Sequence, residues 1–421
     1  MPFMMNKHLA IYILLAFFSK GILAQTNLLS SSPYSLYGLG LSNETSTGKI
    51  NGLGGFGIAL PSNTFINNSN PASFGSISLN SFFFDFGLKS QTNTLSESGN
   101  SNSNIIANVS NLAFAFPLTK KSGIGVILIP FTNVGYTIAN IESGIEGSSD
   151  TFLSNIEGSG GINNLKIDYG YALSNTFRLG LNVSTLFGKI TQRETDILPN
   201  NVLIIEEESR YSGFRLGAGF QYDLSITFTF GGIINLPTKL SGNKESTISQ
   251  YSLDETIDLS DSNNTSNDKI EDFKLPTELG FGIQTTFKNY FSLNVDYKRN
   301  FWTSTNQSDQ LGDYVDQDSF GLGLQYAREK KASKFFNNLE YRAGFNYNNG
   351  NLEINNQRIN NYALNLGIGI PFNNGTNSMV NIGYSYGRKG QVSNGLIKEN
   401  YHLFSINLSL EGIWFQKRKI N

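Results

Sequence analysis

From Ile77 onward, apolar side chains recur at every second position in one run after another. A period of two belongs to a strand with one apolar face, not to a helix. Phe82, Phe84, Phe86 and Leu88 form the first run, with Ser81, Asp85 and Gly87 on the alternate positions. Leu112, Phe114, Phe116 and Leu118 form the second, and a third covers residues 123–138. Further runs occupy residues 165–173, 177–190, 214–222, 226–236, 279–287, 291–301, 320–326, 339–347, 362–372, 380–386 and 401–414. The count is about fourteen, an even number within the range of bacterial single-chain barrels.

The links between runs alternate in length. Short links fall near residues 120–122, 174–176, 223, 288–290 and 373–377. Long polar links occupy residues 90–108, 139–160, 191–210, 238–274, 303–318, 348–361 and 388–400. A membrane barrel has short periplasmic turns and long outer loops, whereas a soluble sandwich has no reason to keep this alternation. An even strand number would leave both termini in the periplasm. One link, residues 328–338, is longer and more basic than the other short ones. It reads as a solvated charged turn, or as a contact for a periplasmic partner together with Lys417, Arg418 and Lys419.

Composition agrees with a barrel. Aromatic residues make up 13% of the chain, with 32 Phe and 19 Tyr against 2 Trp, as strand propensity and aromatic girdles require. After residue 24, no run approaches the ~20 consecutive apolar residues of a membrane helix. The first residues read as a secretory signal: Lys7 and His8, an apolar run over residues 9–18, then Ala24 before Gln25. The absence of cysteine excludes disulfides, thiolate metal sites and cysteine nucleophiles. A formal charge of −2 gives no reason to expect a nucleic-acid partner.

Residues 51–73, NGLGGFGIALPSNTFINNSNPAS, precede the first strand. Gly52, Gly54 and Gly57 formally satisfy G-x-G-x-x-G, but that fingerprint works only between a buried strand and a helix. Here the upstream flank is polar, and Pro61 removes a backbone donor where the helix should grow. Leu53, Phe56, Ile58, Leu60, Phe65 and Ile66 are too apolar for a solvated linker. Permissive backbone with buried apolar side chains suits an irregular path inside a cavity.

The order Gly54, Gly55, Gly57, Ala59, followed by Asn70-Pro71-Ala72 just before the first strand, resembles the N-terminal hatch of FadL-like proteins (OMPP1/FadL/TodX type). Ser32 to Gly38, SPYSLYG, resembles mature N-termini of such barrels from the Bacteroidetes. The resemblance implies an outer-membrane transporter of long-chain fatty acids or other hydrophobic compounds. It also implies a passage along the hatch, for which Gly54, Gly55, Phe56, Gly57, Ile58, Phe65, Asn70, Pro71 and Ala72 are the candidate residues.

No constellation for catalysis emerges. Once a signal is removed, His402 is the only histidine, and it shares its phase with Phe404, Ile406, Leu408 and Leu410 at the interface near the outer rim. A catalytic role would need a convergent partner, and none is evident. The acidic groups at Glu206 to Glu208, at Asp254, Asp258 and Asp261, and at Asp313, Asp316 and Asp318 lack the spacing of a calcium loop and read as solvated surface. The alternate strand faces are small and polar: Gly87, Asn111, Ala113, Gly180, Asn182, Gly219, Gly282, Gly321, Gly323 and Gly367 among others. Facing inward, they would leave lumen volume for the hatch; as glycines they would equally serve strand curvature.

The sequence therefore predicts an all-β protein, a transmembrane antiparallel barrel of about fourteen strands with an N-terminal hatch in its lumen. Its expected divisions are a signal peptide over residues 1–24, a hatch over 25–76, a barrel over 77–415 and a basic periplasmic tail over 416–421. The expected location is the outer membrane, with lipid and a hydrophobic solute as partners and neither catalysis, cofactor nor metal. Uptake would be passive, with the solute held in a greasy pocket against the hatch and released by hatch movement or through a gap in the wall. The alternative is a non-catalytic barrel subunit of a larger outer-membrane machine, the type IX secretion translocon or a barrel-assembly complex, with outer-membrane or periplasmic protein partners.

Overall fold

The computed structural model describes residues 30–43, 46–97, 100–145, 147, 150–252, 264–309, 312–328, 335–372, 375–392 and 396–413. The signal segment, most of the basic link, the acidic group at Asp254 to Asp261, Trp414, Phe415 and the basic tail lie outside the described residues.

Fourteen antiparallel strands close into a barrel. They are β1 (Ser81–Glu97), β2 (Asn100–Thr119), β3 (Ser122–Pro130 and Thr132–Gly144), β4 (Thr151–Ala172), β5 (Phe177–Ile197) and β6 (Asn201–Ser225). Next come β7 (Phe228–Asn235 and Thr238–Ser252), β8 (Asn264–Leu275 and Glu278–Phe287), β9 (Phe291–Asn300) and β10 (Gln317–Tyr326). The last four are β11 (Glu340–Asn348), β12 (Asn361–Pro371), β13 (Met379–Lys389) and β14 (Lys398–Ile413). Each strand pairs with its neighbour in sequence, and β1 closes on β14 from Ser81↔Ile413 to Ser96↔Lys398. Closure removes the exposed edges that a sheet in lipid cannot tolerate.

Three strands are broken where proline removes a ladder donor. The breaks come at Pro130, Pro237 and Pro276, and each strand resumes within three residues against the same neighbour. At the last break, the Arg215 guanidinium donates to the Pro276 carbonyl at 2.8 Å, satisfying an acceptor the ladder has lost.

Several long polar links prove to be strand. Most of residues 90–108, 139–160, 191–210 and 238–274 continue the ladders as tall hairpins, for instance Asn201–Ser225 paired to Ile197 and beyond. Beyond the bilayer both faces of a strand meet water, so the apolar alternation fades while backbone pairing persists. Polarity therefore marks the edge of the membrane here, not the end of the strand.

The face that meets lipid is plain from exposure. Leu181 on β5 is 63% exposed and Phe214 on β6 is 72% exposed, whereas Asn182 beside Leu181 is 4% exposed. Large apolar groups outside and polar groups inside are the inverse of a soluble protein and the pattern of a membrane barrel. Aromatic belts bound the apolar band. At the short-link end Phe287 and Phe291 stack at 5.5 Å, and Tyr290 meets Tyr326 at 5.6 Å. At the other end Tyr297 packs on Phe320 at 5.0 Å, and Tyr384 packs on Phe404 at 5.0 Å. From Phe291 to Tyr297 along β9 is ~20 Å at ~3.3 Å per residue, comparable with the ~25 Å apolar band of such barrels.

Candidate functional site: the hatch in its seat

Residues 30–76 run inside the barrel through three short 3-10 turns, Pro33–Leu36, Gly48–Leu53 and Pro71–Ser76. The turns reverse at Gly54 and Gly55, whose φ values of +84° and +82° are left-handed and cost other residues strain. Gly54 also lies so close to the wall that a Cβ there would sit 2.9 Å from the Phe345 carbonyl oxygen.

Asn70, Pro71 and Ala72 act as one unit. The Asn70 side-chain oxygen accepts from the Ala72 N–H at 3.0 Å, and Pro71 starts the turn where a missing donor does no harm. The Asn70 amide then donates to the Ile58 carbonyl at 2.8 Å and to the Phe220 carbonyl of β6 at 2.9 Å. One side chain thus caps a turn, ties two parts of the hatch together and fastens both to the wall.

The inward glycines are the seats. A Cβ at Gly180 would fall 2.3 Å from the Ala72 nitrogen, and one at Gly219 would fall 2.2 Å from the Asn70 side-chain oxygen. Gly282 lies against Ile58, Gly321 against Phe56, Gly323 against Leu53, and Gly367 against Gly52. These positions leave no lumen free, because hatch backbone and side chains fill them. Gly87 differs, facing the side chains of Ser110, Asn111 and Asn407 instead.

Between the glycines, buried polar groups of the wall bind hatch backbone. Asp296 accepts from the Ile58 N–H at 3.1 Å, and Gln221 donates to the carbonyls of Ile58 at 3.0 Å and Leu60 at 2.9 Å. Lys166 donates to the Asn68 carbonyl at 2.9 Å while pairing with Asp168 at 3.1 Å. At the closure seam, Asp85 accepts from Asn111, Ser409, Asn407 at 3.0 Å and the Gly48 N–H at 3.2 Å. That carboxylate joins β1, β2, β14 and the hatch.

The residues expected to line a passage are spent on packing. Phe56 is buried under the Lys298 ammonium, 4.4 Å from its ring centroid, and Ile58 is fully buried. Phe65 packs with Ile50, Leu53 and Leu60, and its edge reaches a cavity at the short-link end. Gly57 is held against Leu60 and Ile50, and Pro71 and Ala72 against β4 and β5. Gly54 and Gly55 alone among the candidates border the other cavity, toward the long-link end. That cavity is rich in asparagine and mixes amides with Tyr34, Leu41, Leu352 and Ile359, where a greasy pocket was expected.

The wall also has a break. β2 pairs with β3 only from Leu112↔Leu128 to Thr119↔Ser122; beyond it, Leu41 and Ser42 of the hatch pair with Asn133 and Thr132. His402 stands in the outer aromatic belt, its Nδ1 2.8 Å from the Tyr384 hydroxyl and its ring beside Tyr386, with no acidic or nucleophilic partner in contact among the described residues. Asp316 and Asp318 pair with Arg299, and no group of three metal-ligating side chains occurs among the described residues.

The family profile described as BamG matches residues 4–421. The chain belongs to the BamG family. No curated protein matches the sequence. Solved structures similar to this BamG-family barrel include the Ralstonia pickettii toluene transporter TbuX, with a TM-score of 0.60 and 15% identity over 87% of this chain and 98% of that one. The Pseudomonas putida toluene transporter TodX gives 0.58 and 15% over 89% and 99%. A Pseudomonas aeruginosa FadL homologue gives 0.57 and 12% over 89% and 100%. The fold is thus the FadL/TodX type of outer-membrane channels for hydrophobic compounds, carried by a BamG-family sequence.

The wall residues that hold the hatch escaped the sequence reading, although a signal was present. Asp85, Lys166, Gln221 and Asp296 all stand on the phase opposite the aromatic face, as do Asp168, Arg178, Arg215 and Arg342, which pair with other groups of the wall. Charges on the inward phase of a barrel strand must meet partners inside.

Proposed function

We propose that this chain is a non-catalytic barrel subunit of a larger outer-membrane machine, its lumen kept shut by the hatch and its outer face set in lipid. The observation that carries this reading is the disposition of the hatch: its apolar side chains are consumed by wall packing, and its backbone is held by buried wall groups. A conduit for hydrophobic solutes needs a mainly apolar path through open space, and the cavity toward the long-link end mixes Tyr34, Leu41, Leu352 and Ile359 with amides and two lysines. Of the two assemblies considered from sequence, the family designation favours the barrel-assembly complex. Protein partners would meet the tall hairpins or the end that carries the chain termini, which we place in the periplasm.

A second reading is favoured by the fold and by the break above Leu112: passive uptake of hydrophobic compounds such as long-chain fatty acids, with exit through the wall. Gly54, Gly55, Phe56, Gly57, Ile58, Phe65, Asn70, Pro71 and Ala72 would then be the moving part of a gate, with no catalysis or cofactor required. Affinity purification of the full chain from detergent-solubilised outer membrane separates the two. A stable multiprotein complex that survives a high-salt wash supports the subunit reading. A lone barrel carrying co-purified apolar ligand overturns it in favour of uptake.

A further inference from the structure

The cavity toward the long-link end has a chemistry that neither reading uses. It holds about 210 Å³ between the segment Tyr34 to Asn43, the hatch floor at Asn51, Gly54 and Gly55, and the inner wall of β10 to β14 and β1 to β3. Its charged lining residues are Lys89 and Lys389, and no Asp or Glu borders it among the described residues. The nearest opposing charge is Glu399, buried behind the lining, where it accepts from the Ser32 hydroxyl and faces Lys389.

The amides tilt the balance further toward donors. Asn346 gives its side-chain oxygen to Asn365 at 2.8 Å, Asn361 gives its oxygen to the Tyr401 hydroxyl at 3.0 Å, and Asn51 gives its oxygen to the Ser46 N–H at 3.0 Å. Lys89 engages the Asn43 oxygen at 2.6 Å, which uses one of three ammonium donors. With those oxygens occupied, the NH₂ groups of Asn346 and Asn361 and the ammonium groups of Lys89 and Lys389 are left to serve the cavity. Asn346 is 8% exposed, so its amide faces the enclosed space and not bulk water. Donors that converge on one space offer an acceptor-rich ligand several hydrogen bonds at once.

We propose that this cavity binds a small hydrophilic oxyanion, a phosphate- or carboxylate-bearing molecule without a long apolar tail. Two ammonium groups and convergent amide donors supply charge-assisted hydrogen bonds. The apolar side chains in the lining, among them Tyr34, Leu41, Leu352 and Ile359, would pack on the short carbon skeleton that carries the anion. The inference stands apart from the assembly role and would hold for a barrel in either setting.

The test is calorimetric titration of the full chain in detergent micelles at low salt, with inorganic phosphate, glucose 6-phosphate and gluconate as probes and glucose and decanoate as comparators. At least one of the three anions should bind, more weakly as salt rises, and glucose should not. Lys389→Gln should weaken that anion by roughly tenfold or more, the scale of one lost charge-assisted hydrogen bond. Asn346→Asp keeps the shape and the acceptor for Asn365 while adding a negative charge, and should abolish binding. Binding of inorganic phosphate alone would identify a simple ion site, and tighter binding of a sugar acid or sugar phosphate would identify the larger ligand. The proposal is overturned if no anion binds, if glucose or decanoate binds as tightly, or if both variants, still heat-modifiable as folded barrels, bind unchanged.

Discussion

The Asp296 carboxylate on β9 accepts the backbone N–H of Ile58 at 3.1 Å, and both residues are buried. The bond crosses from barrel wall to hatch, so it holds only while the hatch is seated. Asp296→Ala leaves the amide without an acceptor, at a cost of about 1–3 kcal/mol. Hydrogen exchange at Ile58 should accelerate roughly tenfold or more in that variant. Asp296→Asn keeps an oxygen in place and should stay near the original rate.

Gly180 has room for a hydrogen and nothing larger, since a Cβ would lie 2.3 Å from the Ala72 nitrogen. Gly180→Val should therefore force out the Pro71–Ser76 turn, costing about 1–3 kcal/mol or more as overpacking does. Gly144→Val, at a glycine with nothing within 4 Å, is the control. Limited proteolysis should cut within the hatch of the first variant and spare that of the second.

The barrel was legible because it is written locally. Phe82, Phe84 and Phe86 fix which face meets lipid, and the short turn after Thr119 fixes the next partner. The role of the glycines was not legible, because it lies between residues far apart in the chain. Period two places Gly180 and Gly321 on the inner face, but a glycine carries no side chain to say what rests on it. The height of the hairpins was hidden for another reason. Strand pairing continues through residues 201–212 while their side chains, among them Glu206 to Glu208, are those of solvated surface. Phe56 and Ile58 read as passage lining because an apolar residue on an irregular segment looks the same whether it faces space or wall.

Position in the apolar band sets the cost of a charge on the outer face. Leu181→Arg, at a 63% exposed position within the band, should destabilise the inserted barrel by ~2–4 kcal/mol. Leu153→Arg, on the part of β4 that rises past the band, should cost no more than about 1 kcal/mol. Urea titration of barrels folded into lipid vesicles measures both.

Asp316, in the link before β10, accepts from the Thr303 N–H at 3.0 Å and the Thr303 hydroxyl at 2.7 Å, and pairs with Arg299 at 3.1 Å. Partial burial pushes this carboxyl upward, and these partners together hold it below the ordinary carboxylate value. A group lowered in the folded state stabilises above its unfolded pKa of ~3.9 and loses that contribution as pH falls through the folded value. The Thr303 amide should thus keep its exchange protection, after correction for intrinsic rates, down to about pH 4 and lose it below. Asp316→Asn should remove that pH dependence.

The hatch acts as a fixed seal, and planar-bilayer conductance tests that role most directly. The purified full chain should insert without steady current, and deletion of residues 52–73 should open a large, stable conductance in the same barrel. Steady conductance by the full chain, or equal traces from the two proteins, would contradict the account.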